Sequence, residues 1–182
     1  MLNEVLNHVH YVFPGYDVHS TITDLDSELL PGPLDHGFKL QTTAQQRRWF
    51  HTDINISTLQ AYERFRLGNG MVIGSSKSQR RGDINKNNHI VCFRTSNGEL
   101  CVGEIYYFAD CAGLTVMDHQ YWAWIKQYNA AQWDTRTGVA SIATGMHGNR
   151  RWIPMEWVIS AAGLIQQAGL QIVVSDVPEL ML

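Results

Sequence analysis

No stretch of this chain approaches the ~18 consecutive apolar residues of a membrane span, and charged residues make up only 17% of it. The N-terminus lacks the uninterrupted apolar core of a signal peptide, because Asn3, Glu4, Asn7, His8 and His10 break it up. There are only three cysteines, Cys92, Cys101 and Cys111, odd in number and in no C-x-x-C arrangement. That fits reduced thiols in an intracellular protein better than a disulfide framework. Were two to pair, Cys92 and Cys101 are the first choice, since they flank one hairpin.

Catalytic signatures are missing too. No G-x-S-x-G elbow occurs, and Gly74-Ser75-Ser76 runs into a polar loop, not an apolar helix. Gly68-Asn69-Gly70 and Gly145-Met146-His147-Gly148 fit neither the phosphate-loop nor the dinucleotide pattern, because no strand–glycine loop–helix unit surrounds them. Eight histidines invite a metal reading. Yet His8 and His10 diverge on the helix expected there, and no Cys or carboxylate set completes a zinc spacing. The expectation is no catalytic residue, no metal and no cofactor.

What is present is a mildly acidic chain of net charge −3 whose charge is unevenly spread. Residues 1–45 carry six acids against one base, and residues 46–100 carry nine bases against four acids. The stretch from Ser75 to His89 holds Lys77, Arg80, Arg81 and Lys86 against a single anion, Asp83, with one isoleucine and no aromatic. Such a segment buries too little surface to offset its ordering entropy, so it reads as a solvated loop suited to a negatively charged partner. A pI near 6.2 argues against indiscriminate nucleic-acid binding.

Helical spacing of Leu2, Val5, Leu6 and Val9 predicts a helix over residues 1–13, ended by Pro14-Gly15. Residues 14–41, with Pro14, Pro31 and Pro33, read as an extended, irregular arm. A short helix over 43–51 carries Arg47, Arg48, Trp49 and Phe50. Ala61 to Leu67 fits either a helix or a strand. Beyond it, Met71–Gly74, His89–Arg94, Leu100–Phe108, Val139–Ile142, Trp152–Pro154 and Gln171–Val174 read as strands, with Asn97-Gly98 making a tight hairpin turn. A helical turn fits within Met155–Gln166, and Pro154 belongs at an edge or a strand end. Strands at short spacing without crossover helices give a mainly β (α+β) fold, a curved antiparallel sheet or small open barrel with N-terminal helical decoration. Two segments result: an acidic arm over 1–45 and a single β-dominated domain over 46–182.

Aromatic residues cluster in Tyr106-Tyr107-Phe108 and Tyr121-Trp122-Ala123-Trp124. Strand alternation puts Tyr106 with Phe108 and Tyr107 opposite, and Trp122 with Trp124 opposite Tyr121. One set fills the core; the other is either buried as well or free to stack on a base or enclose a cation.

Three runs taken in order, Leu59-x-x-Tyr62-x-Arg64-Phe65-Arg66, Ser75-x-Lys77-Ser78-x-Arg80-Arg81 and Asn88-His89-Ile90-Val91, are similar to a β-rich region of proteins encoded by fungal DNA transposons. So are Val102-Gly103-Glu104-Ile105 and the closing Trp152-Ile153-Pro154-Met155 to Ile165. The "Gly-x-Ile" strand after a hairpin also loosely resembles BAH-type chromatin modules. This resemblance implies a non-catalytic accessory domain of a mobile element or a domesticated remnant, with nuclear localisation. The resulting expectation is a nucleic-acid or chromatin-binding module in which Lys77, Arg80, Arg81 and Lys86 contact phosphate and Tyr107, Trp122 or Trp124 offers a stacking face. Two alternatives stand beside it: a protein-interaction domain for an acidic or methylated peptide, and a hydrolase or metal enzyme using His89, His119 or His147. No membrane partner is expected, and the oligomeric state is left open.

Overall fold

The computed structural model describes residues 30–51, 56–77, 88–128, 132–134, 139–143, 147–167 and 170–175. The chain divides into units 1–30 and 31–182. The helix expected over 1–13 lies outside the described residues. The second unit is built almost wholly of antiparallel strands. They are β1 (Gly32–Pro33), β2 (Phe38–Gln41), β3 (Thr58–Tyr62), β4 (Arg64–Arg66), β5 (Val72–Gly74), β6 (Ile90–Arg94), β7 (Leu100–Asp110), β8 (Tyr121–Tyr128), β9 (Gln132–Asp134), β10 (Val139–Ala143), β11 (His147–Pro154), β12 (Val158–Gln167) and β13 (Leu170–Ser175). One short helix, α1 (Ala44–Arg47), and one 3₁₀ turn, Met155–Trp157, complete it.

The principal sheet runs β11-β8-β7-β6-β12-β13-β10-β9, and β2 and β3 join it through β7. It does not close into a barrel. A second sheet has the order β1-β4-β5. The long β7 organises the whole. One edge pairs with β8, while the other pairs with β6 over Leu100–Glu104 and with β3 at Phe108 and Ala109.

Several elements depart from the sequence expectation. Residues 32–41, expected within an irregular arm, supply β1 and β2, the latter in register with β3 through Phe38↔Ala61 and Leu40↔Leu59. Gly37 makes the approach possible: its φ is +66°, and a Cβ there would lie 2.5 Å from the Ala61 carbonyl oxygen. The ambiguous stretch Ala61–Leu67 is strand, split at Glu63, whose N–H donates to Asp35 Oδ2 at 2.8 Å. The helical turn expected within Met155–Gln166 shrinks to three residues. Val158-Ile159-Ser160 then pairs with β6, where β-branched side chains pack well on a pleated surface. Pro154 ends β11, as its missing N–H requires. The hairpin from β6 to β7 turns through Gly98 at φ +82°.

Alternation along the strands divides the core. Val91, Phe93, Ile105, Phe108, Ala123, Ile125 and Ile153 fill one face. On the other face Tyr107, Ala109, Trp122, Trp124 and Trp152 form one cluster, and Ile90, Cys92, Val102 and Tyr128 form a second. Between these two lies a row of charged residues in register, Glu104, Lys126 and Arg150. All three cysteines are buried and none is joined in a disulfide, so the Cys92–Cys101 pairing does not occur: Cys92 stands opposite Val102 and Cys101 opposite Phe93.

Candidate nucleic-acid interface

A bulge in β7 shapes the site. Ile105 pairs with Ile125 and Tyr107 with Trp124, so Tyr106 is the extra residue. Two consecutive tyrosines therefore join the same aromatic cluster, and Phe108 goes to the other face. The expected sharing of a face by Tyr106 and Phe108 is thus corrected. Trp122 and Trp124 do share a face, opposite Tyr121.

Trp152 stands at the centre of this cluster. Its ring centroid lies 5.1 Å from that of Trp124, 5.8 Å from Tyr107 and 6.3 Å from Phe50. These packed rings explain a second correction. Tyr107, Trp122 and Trp124 are 5%, 2% and 4% exposed, so none presents an open stacking face. Trp122 is further fixed by donating Nε1–H to the His119 carbonyl at 2.9 Å. Tyr107 and Trp124 nevertheless reach the surface at one place, a cleft of about 460 Å³ lined by Leu40, Gln46, Tyr106, Tyr107, Trp124 and Arg150 among others.

Helix α1 forms the wall of that cleft. Thr43 caps it with a full capping box: its Oγ1 accepts from the Gln46 N–H at 3.3 Å, and Gln46 Oε1 accepts from the Thr43 N–H at 2.7 Å. Arg47 Nη1 donates to the Thr42 carbonyl at 2.7 Å, pinning the end of the helix to the chain before it. Gln45 Nε2 donates to the Arg150 carbonyl at 3.3 Å, bridging α1 to the edge strand β11. On the far side of this bridge lies a second depression of about 500 Å³, lined by Gln45, Arg48, Trp49, Asn149, Arg150 and Arg151.

Cations and rings alternate along the resulting strip. Arg150 lies 4.8 Å above the Tyr106 ring and Arg151 lies 5.7 Å from the Trp49 ring. Lys77 sits 5.7 Å from Tyr107 and 5.3 Å from Phe38. Trp49 is 40% exposed. Among the described residues, none of Lys77, Arg48, Arg150 or Arg151 has a carboxylate within 4.0 Å. Arg151 Nε is buried without a hydrogen-bond partner among the described residues, as is the Tyr107 hydroxyl. Burial pushes the Tyr107 phenol well above its ordinary range, and the positive charge of Arg150 acts against that rise. The phenol is therefore a neutral O–H donor at any physiological pH.

Of the four expected phosphate contacts, Lys77 is exposed at the edge of this site. Arg80, Arg81 and Lys86 lie outside the described residues. The described residues on either side of them are anchored, Ser76 N–H to the Ile105 carbonyl and Ile105 N–H to the His89 carbonyl, both at 2.8 Å. The second half of the cationic surface, Arg150 and Arg151, went unread in the sequence. An Arg-Arg pair beside a bulge-prone Gly148-Asn149 was the available signal.

The histidine readings gain little. His119 Nδ1 lies 3.3 Å from Glu156 Oε2, a pair of one half-buried and one exposed side chain. Burial lowers the pKa of His89, with Glu104 opposing the shift. Among the described residues no three His, Cys, Asp or Glu side chains converge on a metal position. Among them, too, no helix is long and apolar enough to cross a membrane. Comparison with family models, curated proteins and solved structures returns no match.

Proposed function

We propose that this chain is a non-enzymatic nucleic-acid-binding module, of the kind a mobile element or its domesticated remnant would encode, gripping single-stranded nucleic acid along the strip between α1 and β11. One observation carries the reading: Arg150 and Arg151 are each laid over an aromatic ring, Tyr106 and Trp49, with no carboxylate partner among the described residues. Guanidinium groups without such ion pairs are available to phosphate, and an exposed indole offers a π-face that any base can use. Lys77 would extend the same electrostatic track, with Arg80 and Arg81 three and four residues further along the sequence.

The charge of the cleft bears on the competing peptide reading. Three rings do meet there, Tyr106, Tyr107 and Trp124, but the charged side chain beside them is Arg150. A methylated-lysine cage relies on the opposite sign. An acidic peptide suits the guanidiniums but leaves the exposed Trp49 unexplained.

The test is a titration of single-stranded oligonucleotide across a salt series. Wild-type protein binds at low salt and weakens linearly in the logarithm of salt concentration. The triple variant R48A/R150A/R151A flattens that slope by about 2, at roughly 0.7 for each phosphate it no longer neutralises. Absence of binding at low salt, or an unchanged slope in the triple variant, sinks the reading.

A further inference from the structure

We infer that the cleft beneath α1 is a mononucleotide pocket, in which Arg150 takes the phosphate and the Tyr107 hydroxyl donates to an acceptor on the base. The inference rests on the nucleic-acid reading and narrows it: one nucleotide of the bound strand leaves the run and enters this cleft, while its neighbours stay on the outer strip.

Three independent features converge. The cleft measures about 460 Å³, within the range that encloses small ligands. Its lining divides by chemistry into aromatic carbon from Tyr106, Tyr107 and Trp124, amides from Gln45 and Gln46, and one cation, Arg150. A planar, hydrogen-bonding, anionic ligand matches that combination. Finally, the Tyr107 hydroxyl is a buried donor with no acceptor among the described residues. Buried polar groups are rarely left so, because each forfeits the hydrogen bonds it would make with water. A group kept unsatisfied beside a cleft is explained if its partner arrives with the ligand.

The side chains at the rim of the cleft include two that are exposed and long. Gln45 and Arg150 are both solvent-facing, and Gln45 reaches the Arg150 carbonyl through one hydrogen bond of 3.3 Å. Trp124, in the cleft wall, supplies an intrinsic reporter.

This arrangement makes an unusual demand on one substitution. Tyr107→Phe removes an unsatisfied donor, so the free protein should melt at the same temperature or higher. The same change should weaken ligand binding, because the donor is then missing when its acceptor arrives. A tyrosine with a merely structural role does not separate these two readouts.

The experiment titrates uridine and adenosine 5′-monophosphate, and inorganic phosphate, into the full chain while following tryptophan fluorescence. The wild type is expected to bind at least one mononucleotide at least tenfold more tightly than inorganic phosphate. Y107F is expected to lose about tenfold in mononucleotide affinity with an unlowered melting temperature, and R150A to lose binding of all three probes. Unchanged affinity in Y107F, or phosphate binding as tight as that of both mononucleotides, overturns the inference. If oligonucleotides bind but neither mononucleotide does, the pocket is wrong and the strip stands. If a mononucleotide binds but oligonucleotides do not, the strip is wrong and the pocket stands.

Discussion

The guanidinium carbon of Arg150 lies 4.8 Å from the ring centroid of Tyr106, the one residue between Gly103 and Asp110 of β7 that has no direct partner on β8. The bulge turns this ring out of the alternation and gives the arginine a flat surface to rest on. A guanidinium is planar and weakly hydrated, and an ammonium is neither, so charge and stacking can be separated by one substitution. Arg150→Lys should preserve the salt slope of oligonucleotide binding while lowering affinity severalfold. Equal affinity for both side chains, read by fluorescence anisotropy, would show that only charge matters here.

Trp49 tests the aromatic half of the strip. It is exposed, follows α1, and carries Arg151 on one side. Base stacking on such a ring contributes about 1–3 kcal/mol. Trp49→Ala should therefore cost roughly tenfold to a hundredfold in single-strand affinity and leave the melting temperature nearly unchanged. A decrease of the same size in thermal stability would mean that Trp49 packs and does not bind.

The capping box offers a way to perturb the site without touching it. Thr43 and Gln46 satisfy each other's backbone N–H groups, and the helix they start is only four residues long. So short a helix has no propensity to spare and depends on its caps and packing. Thr43→Ala should cost about 1 kcal/mol of stability. It should also weaken oligonucleotide binding, since Gln45, Arg48 and Trp49 are positioned from this turn. Thr43→Ser, which keeps the hydroxyl, should restore both. Denaturant melts and binding isotherms on the two variants check this.

The sequence made the sheet legible where the pattern was local. Asn97-Gly98 between two apolar runs specified the β6–β7 hairpin, and Pro154 marked the end of β11. It concealed what depended on distant pairing. Phe38-Lys39-Leu40-Gln41 alternates apolar and polar residues over only four positions, beside prolines that read as an irregular arm; β2 forms because Gly37 lets the chain close on β3. Met155–Gln166 has residues that suit a helix or a strand, and the unpaired edge of β6 decides between them. The site was hidden for the same reason. The extra residue that places Tyr106 beside Tyr107 shifts the alternation by one, and nothing in Glu104-Ile105-Tyr106-Tyr107-Phe108 announces where the shift falls. Arg150 and Arg151 lie a hundred residues from Arg48 and Trp49, and only the sheet edge brings them together.

Glycine at position 37 can be tested against glycine at position 70. Both have positive φ, +66° and +81°. A Cβ on Gly37 would meet the Ala61 carbonyl oxygen and Gln60 Nε2 at 2.5 Å, while one on Gly70 would meet nothing within 4 Å. Gly70→Ala should cost only the left-handed backbone penalty, about 1–2 kcal/mol. Gly37→Ala adds a backbone clash to the same penalty and should melt well below it. Equal melting temperatures for the two would show that β2 does not need the close approach to β3.

The buried thiols set an alkaline limit on stability. Burial pushes Cys101 from the ordinary 9.0 up to about 11, with Glu99 adding to the rise and Arg151 opposing it; burial and Asp110 push Cys111 up to about 12. The folded state therefore holds both protons to higher pH than the unfolded chain does. Well below pH 9 neither state ionises these thiols appreciably and nearly the full stability is present. As pH rises from 9 toward 11 and 12 the unfolded chain releases protons that the folded one keeps, and stability falls. Urea midpoints measured from pH 7 to 10.5 should be flat at first and then decline. The C101A/C111A variant should start lower, because its core packs less well, and decline less steeply. Because all three cysteines are buried and none is in a disulfide, a thiol reagent at pH 8 should label the native protein far more slowly than the urea-unfolded chain. Rapid native labelling of Cys111 would show that the β7 end of the aromatic cluster opens to solvent far more readily than its packing implies.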